Sequence, residues 1–325
     1  MKNLSIIIPH YNIPDLLCRL LKSIPEREDI EAIVVDDCSS KPLNQVREYV
    51  SSRTNISLSI AECNGGAGKC RNLGLELAQG KWVMFADADD YFLDEFLDII
   101  SPFFNCIADV VFFTATSKDI ETGNIGTRHL LLNETVCNWS QNRNHIKAEL
   151  NIRYKLNGPV CKLIKMELIK NNAIKFDQVR VSNDELFSAK TGFYAKTIDA
   201  CETPIYCITS RPGSLIEVIS EENFMIRLEV FIRKYHFLKE HLSKREFEVL
   251  DLSAQEKIFS MIQNRYGFSF CKKVIQKLLR GKIRFVTKET LKPQVMIDKI
   301  KLAVSLSQLR KKEKKFLVRS NNGTD

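Results

Sequence analysis

Three carboxylates crowd the four residues Asp87-Ala88-Asp89-Asp90. Side by side they repel one another, and burial adds a desolvation cost, so the group asks for a cation. Hard oxygen donors in small number suit Mg²⁺ or Mn²⁺ shared with a phosphate, not a closed protein cage. The same residues read equally as a solvated turn with Asp90 capping the next helix. Asp36-Asp37 is a second acidic pair, either a helix cap or acceptors for an imide N–H or a ribose hydroxyl. Tyr11 either stacks on a base or covers the end of a sheet. Asn183-Asp184-Glu185 precedes an apolar helical stretch. It reads as an ordinary helix N-terminus, where acids gain about 0.3–1 kcal/mol, or as the seat of a general base.

Other chemistries are excluded by spacing. Gly65-Gly66-Ala67-Gly68-Lys69 is not a Walker A loop, because Cys63 stands where its first Gly belongs and Cys70 follows the Lys. It is not a dinucleotide fingerprint either, since it does not follow the first strand. It remains a loop where backbone N–H groups and Arg71 approach a diphosphate. The five histidines (10, 129, 145, 236, 241) form no metal-ligand pattern, and no G-x-S-x-G elbow occurs. Ten cysteines include no CxxC pair, which is read as buried free thiols in a reducing compartment.

The elements that must position these groups follow from periodicity. Leu4–Ile8 is a short continuous apolar run, as expected of a strand buried on both faces, Ile30–Val35 is a second apolar run, and Ile56–Ala61 and Lys81–Ala86 read as a third and a fourth strand. Between them lie helical patterns: one starting at Pro14-Asp15, one through Leu43–Val50, and one at Cys70–Ala78 stopped by Gly80. The alternation predicts a parallel α/β sheet. Its polar clusters, His10–Asn12, Asp36–Ser40, Asn64–Gly68 and Asp87–Asp90, all follow strands, and ligands bind at that edge of open α/β sheets. Downstream, Asp109–Thr116 and Tyr206–Thr209 read as strands. Gln141–Tyr154, Met166–Asn171 and Asn183–Phe193 read as helices, and Glu221–Leu279 is helical with few breakers.

The 325 residues suggest two domains, or one large domain with an appendage, and 44% apolar content supports a packed core. The net charge of +8 is concentrated: residues 281–325 hold twelve Lys/Arg and four Asp/Glu, so the preceding part is neutral. Val295, Ile297, Ile300, Val304, Leu309, Phe316 and Leu317 are mixed among those bases. This is the pattern of a basic amphipathic segment at an anionic membrane surface, or of a solvated or helix-pairing tail. The N-terminal apolar run ends at Pro9, too short for a signal peptide, and no run spans a bilayer.

These pieces together resemble the bacterial family 2 glycosyltransferases, inverting enzymes with the GT-A fold. The matching segments are SIIIPHYN at 5–12, IVVDDCSS at 33–40 and NGGAGKCRNLGLELAQGKWVMFADADD at 64–90. Looser matches follow: GPVCKLIKMELIKNNAIKF at 158–176, SNDELF at 182–187 and RPGSL at 211–215.

The resemblance implies an α/β GT-A fold with a mostly parallel central sheet, a Rossmann-like nucleotide-binding half and a helical C-terminal extension. It divides the chain into a catalytic domain at 1–220 (nucleotide-sugar half 1–100, acceptor half 101–220), the extension at 221–280 and the tail at 281–325. It implies that Pro9, Tyr11 and Asp37 form the pocket for uracil and ribose, with Gly66, Arg71, Asp87 and Ala88 also at the donor. Arg211 and Ser214 match a loop over the diphosphate. Asp87-Ala88-Asp89 matches the DxD motif, with Asp89 the more direct ligand of Mn²⁺ or Mg²⁺ and Asp87 beside it. Asp184 takes the place of the catalytic base, with Glu185 as runner-up.

Two departures stand out: Asn183 replaces the family's Glu, and Val160 stands where members often carry Trp. The implied partners are a UDP-sugar and a glycan or lipid-linked glycan acceptor, with no nucleic acid. The implied location is cytoplasmic, peripheral at the membrane. A nucleotidyltransferase shares a similar sheet and acidic metal site. It carries a Gly-rich basic loop after the first strand, where this chain has Pro9-His10-Tyr11-Asn12.

Overall fold

The computed structural model describes residues 2–211, 219–288 and 290. They fall into two compact units that part between residues 218 and 219. Ser214 and the amphipathic segment beyond 290 lie outside the described residues.

The first unit is built on eight strands: β1 (Leu4–His10), β2 (Ile30–Asp36), β3 (Ile56–Ile60), β4 (Trp82–Phe85), β5 (Tyr91–Phe92), β6 (Val110–Asp119), β7 (Lys162–Lys165) and β8 (Ile198–Ser210). They form one sheet in the order β3-β2-β1-β4-β7-β6-β8-β5. The pairs β1/β2, β2/β3, β1/β4 and β6/β8 are parallel, and β7 runs antiparallel between β4 and β6. This is the mixed, mostly parallel sheet of the GT-A fold. The strand order reverses between β1 and β4, so a crevice opens between their C-terminal ends.

Eight helices pack around the sheet: α1 (Pro14–Lys22), α2 (Asn44–Ser51), α3 (Gly66–Leu77), α4 (Phe96–Ile100), α5 (Leu130–Gln141), α6 (Ile146–Tyr154), α7 (Met166–Asn171) and α8 (Glu185–Tyr194). The central strands are buried on both faces. Ile6, Ile8 and Trp82 pack with Leu17 and Leu20 of α1 on one side. Ile7, Val83 and Phe85 pack with Cys70 and Leu75 of α3 on the other. That explains runs without polar alternation. Helix α3 approaches β1 closely: a Cβ on Gly74 would stand 2.4 Å from Ile7 Cγ2.

Several elements differ from the sequence reading. The helix expected at 141–154 starts only at Ile146 as α6, and Gln141 instead ends α5, a helix from Leu130 that the sequence reading does not mark. The intervening Asn142–His145 forms a turn in which the His145 amide bonds the Asn142 carbonyl. Helix α3 begins at Gly66, four residues earlier than its apolar periodicity, because Gly66 takes φ +82 at the turn. Strand β7 carries Lys at both ends and has no strand signature of its own. It exists because β4 and β6 flank it. Of the ten free cysteines only Cys70, Cys161 and Cys207 are buried, while Cys38 and Cys63 are exposed.

The described part of the second unit is helical. The run from Glu221 resolves into α9 (Glu221–His241), α10 (Lys244–Leu250), α11 (Gln255–Gln263) and α12 (Phe268–Arg280). Ser220 caps α9, and a reciprocal Ser243–Glu246 capping box starts α10. No helix among the described residues is long and apolar enough to cross a membrane.

Candidate functional site

The polar clusters gather at one edge of the sheet, and their centre is Arg71. It lies on the second turn of α3 and is 6% exposed. Nη2 donates to Asp87 Oδ1 at 2.6 Å, and Nη1 donates to Asn183 Oδ1 at 2.7 Å. The guanidinium lies 5.3 Å from the centre of the Phe176 ring. One cation thus joins the end of β4 to the start of α8.

An aromatic cluster supports the same junction. Phe176 stacks on Phe187 of α8 at 3.8 Å, and both meet Phe85 of β4 edge-on, at 4.9 and 5.5 Å. Phe85 stands two residues before Asp87, and Phe187 three residues after Asp184. Asn72 closes the junction by bonding both the amide and the carbonyl of Phe176. Periodicity does not mark Phe176, and only its contacts show its part.

The acidic turn is held open rather than packed shut. The Asp87 side chain is 39% exposed and the Asp89 side chain 22%. Ala88 packs into the core. The Asp87 amide donates to the Tyr206 hydroxyl at 2.9 Å, and the Asp89 carbonyl accepts from Arg19 and from the Thr209 hydroxyl. Arg211 Nε lies 3.1 Å from Asp89 Oδ2. Burial, and then the charge of Asp87, push the Asp89 carboxyl above the ordinary carboxylate range, with Arg211 opposing. Asp90 is not a helix cap. It is buried, accepts the Thr209 amide of β8 at 2.7 Å, and is raised well above the usual range by burial and by Asp87 and Asp89. The next helix starts only at Phe96.

The turn therefore carries more negative charge than its burial favours, and Arg71 and Arg211 are its counter-ions. Among the described residues no group of three or more His, Cys, Asp or Glu side chains encloses a metal position. Two hard carboxylates on an open turn fit Mg²⁺ or Mn²⁺ of the kind completed by substrate phosphate oxygens.

Asp37 and Gly66 are brought together differently from the sequence reading. The Asp37 carboxylate caps α3 across the loops: Oδ1 accepts the Gly65 amide and Oδ2 the Gly66 amide, each at 2.8 Å. Those amides face Asp37 instead of a diphosphate, because a helix N-terminus takes the nearest buried anion. Pro9 is buried one residue before the end of β1, opposite Val35, and Tyr11 next to that end is half exposed.

Asp184 is the N-cap residue of α8, partly exposed, and no side chain among the described residues hydrogen-bonds its carboxylate. Burial raises its pKa, while Arg71 pulls it down. Glu185 is only 6% exposed. Of the two acids, Asp184 is the one an incoming molecule reaches. Asn183, in place of an acid, leaves the charge of Arg71 directed to Asp87 and Asp184.

Residues 5–172 match the family described as Glycosyl transferase family 2. The chain is 29% identical over 234 residues to the poly(ribitol-phosphate) beta-N-acetylglucosaminyltransferase TarS of Staphylococcus aureus, covering 69% of this chain and 39% of that protein. It is 27% identical over 292 residues to the poly(ribitol-phosphate) beta-glucosyltransferase of Bacillus spizizenii, covering 85% of this chain and 42% of that protein. The chain thus spans about two fifths of the length of these relatives. The crystal structure of an N-terminal portion of TarS in complex with UDP-GlcNAc superposes with a TM-score of 0.66 at 25% identity, covering 86% of this chain and 80% of that one.

Proposed function

This chain belongs to glycosyl transferase family 2, and from that premise we propose that it moves a sugar from a UDP-sugar to a hydroxyl of a surface polymer with inversion at the anomeric carbon. The observation that carries the reading is Arg71, which joins the acidic turn to the start of the helix that presents Asp184. Donor and base chemistry are thereby held at one junction. The UDP-GlcNAc complex of TarS supports a UDP-sugar donor, and the polyol-phosphate polymers in the relatives' names support a polymer hydroxyl as acceptor.

Asp184 takes the proton of the acceptor hydroxyl while that oxygen bonds to the anomeric carbon. The bond from that carbon to the diphosphate oxygen breaks on the opposite face, and UDP leaves with the electron pair. Base catalysis of this kind is worth about 10²–10⁴-fold. Asp87 and Asp89 are the residues that would hold a divalent ion, which when bound would offset the charge that builds on the leaving diphosphate. Arg71 and Arg211 stand at the same turn as further cations for that charge. Tyr11, Pro9 and Asp37 line the crevice side on which the base and ribose rest in this reading.

The test is a donor panel of UDP-GlcNAc, UDP-glucose, UDP-galactose and GDP-mannose against a polyol-phosphate acceptor, read by UDP release and by the mass and anomeric configuration of the product. Transfer with inversion from a UDP-sugar supports the proposal. Retention, or transfer from GDP-mannose alone, refutes it.

The same reading places the protein at an anionic membrane surface on the side where such polymers are built. Support within the described residues comes from α12. Exposed Phe268 and Leu279 and half-buried Ile275 fall within about 40° of one another at 100° per residue. Exposed Lys272, Lys273 and Arg280 flank them, and residues 265–282 contain no acid. An apolar stripe beside bases is the layout of an interfacial helix. Flotation on vesicles with and without phosphatidylglycerol tests it: equal recovery on both refutes an anionic-surface role.

A further inference from the structure

The most complete polar network outside the acidic turn ties the ends of β1 and β2. His10 and Asp36 are register partners on these parallel strands, 2% and 1% exposed. His10 Nδ1 lies 2.6 Å from Asp36 Oδ1, and His10 Nε2 accepts the Ile13 amide at 3.2 Å. A ring nitrogen that accepts carries no proton, so Nδ1–H is the donor to Asp36. The Asp36 carboxylate also accepts the Ser39 amide at 2.9 Å and the Ser39 hydroxyl at 2.6 Å. Ser39 Oγ in turn accepts the Asn12 amide at 2.8 Å. Asn12 Oδ1 accepts the amides of Ser40 and Lys41 at 2.9 and 3.0 Å.

Two loops are locked by this chain of bonds. Each contains a non-glycine residue at positive φ, Asn12 at 57° and Cys38 at 59°. That conformation is strained for a residue with a Cβ and persists when surroundings over-determine it. Tyr11 sits between His10 and Asn12, half exposed at 49%, and Asp37 sits between Asp36 and Cys38. The two side chains assigned to the nucleoside therefore lie between members of the network, Tyr11 between His10 and Asn12, and Asp37 between Asp36 and Ser39.

We propose that His10 is a positioning residue for the donor: acting through Asp36 and Ser39, it holds the Tyr11 and Asp37 loops in the one arrangement that receives the nucleoside. The inference rests on the proposed UDP-sugar donor. His10 touches neither substrate nor reacting atoms, so its loss weakens donor binding and leaves the chemical step to Asp184. His10→Ala deletes both bonds. His10→Asn restores a donor where Nδ1 stood. Ser39→Ala removes the link from Asp36 to Asn12 from a partly exposed position, without a large cavity.

The experiment measures UDP affinity by calorimetry, donor KM and kcat, and Tm on the full chain. His10→Ala and Ser39→Ala are expected to raise Kd for UDP and donor KM about tenfold, the worth of one bond to a charged group. The loss in kcat is smaller, and His10→Asn recovers most of the affinity. Folded His10→Ala and Ser39→Ala proteins that bind UDP as the wild type does would overturn the inference and leave the proposed function standing. So would a loss in kcat alone, or a His10→Asn protein no better than His10→Ala. A wild-type protein that binds no UDP overturns both. If His10→Ala does not fold, Ser39→Ala decides.

Discussion

Arg71 and Asp87 form an ion pair of 2.6 Å between helix α3 and the end of strand β4, and the other arm of the same guanidinium reaches Asn183 beside Asp184. A planar guanidinium reaches two separated acceptors from two nitrogens in a fixed geometry, which a compact ammonium does not reproduce. Arg71→Lys is therefore expected to keep part of the activity, and Arg71→Ala to lose about 10²-fold or more in kcat/KM. Comparison of kcat/KM for the two variants checks this, with Tm reporting the cost of leaving Asn183 without its donor.

Asp184→Asn is expected to lower kcat by about 10²–10⁴-fold while UDP affinity stays within about twofold of wild type. Glu185→Gln, at a buried position, is expected to lower Tm more than kcat. Single-turnover transfer and UDP calorimetry on both variants separate the roles. Near wild-type turnover in Asp184→Asn would hand the base role to Glu185.

The pH profile follows from the same residue. Asp184 must be ionised to accept a proton, and burial raises its pKa above the ordinary carboxylate range. The acidic limb of kcat/KM should therefore fall at a higher pH than an exposed Asp would give. Arg71 lowers that pKa, so Arg71→Gln moves the limb further up. Profiles of kcat/KM against pH for the two proteins test both directions.

Asp89→Asn is expected to abolish divalent-ion stimulation without lowering Tm at neutral pH. The sign is set by its raised pKa: the folded state favours the protonated carboxyl, so the stabilisation belongs to low pH and is lost as pH rises through the folded value. Replacing the charge with a neutral amide removes a cost at neutral pH. Thermal melts at two pH values check this. Transfer assays with chelator and with Mn²⁺ added back check the metal, and full activity under chelation would refute its role.

Gly74→Ala is expected to destabilise by about 1–3 kcal/mol, because the new Cβ would meet Ile7 Cγ2 at 2.4 Å in the middle of β1. Denaturant melts measure it. Its effect on activity should track stability alone, since Gly74 faces the core and not the crevice.

Much of the donor half was legible because its signals are local. The strands β1, β2 and β4 are apolar runs buried on both faces, the edge strand β3 alternates with serines and is mostly exposed or half-buried, and a polar cluster follows each of the four, so pattern alone located the edge where the clusters meet. Asp87 and Asp89 stood out because crowded carboxylates repel and need a reason to coexist, whereas Asp184 read equally as an ordinary helix N-terminus and only the resemblance singled it out. Less was legible beyond residue 100. Strand β7 is four residues with Lys at each end, and the helix α5 carries no marked apolar periodicity before the Asn-rich break at residues 142–145. The strand β7 is decided by β4 and β6, neighbours distant in the chain.

The sequence by itself determined the α/β alternation, the acidic turn and its position after a buried strand, since these depend on residue type and on spacing within a few residues. Only the tertiary structure decided that Arg71 bridges residues 16 and 112 positions away, that Asp37 caps α3 with both oxygens, and that Phe176 links the strand before the acidic turn to the helix that Asp184 caps. A buried cation or anion takes whichever partner the closed fold brings within about 3 Å, and that distance is a property of packing, not of order along the chain.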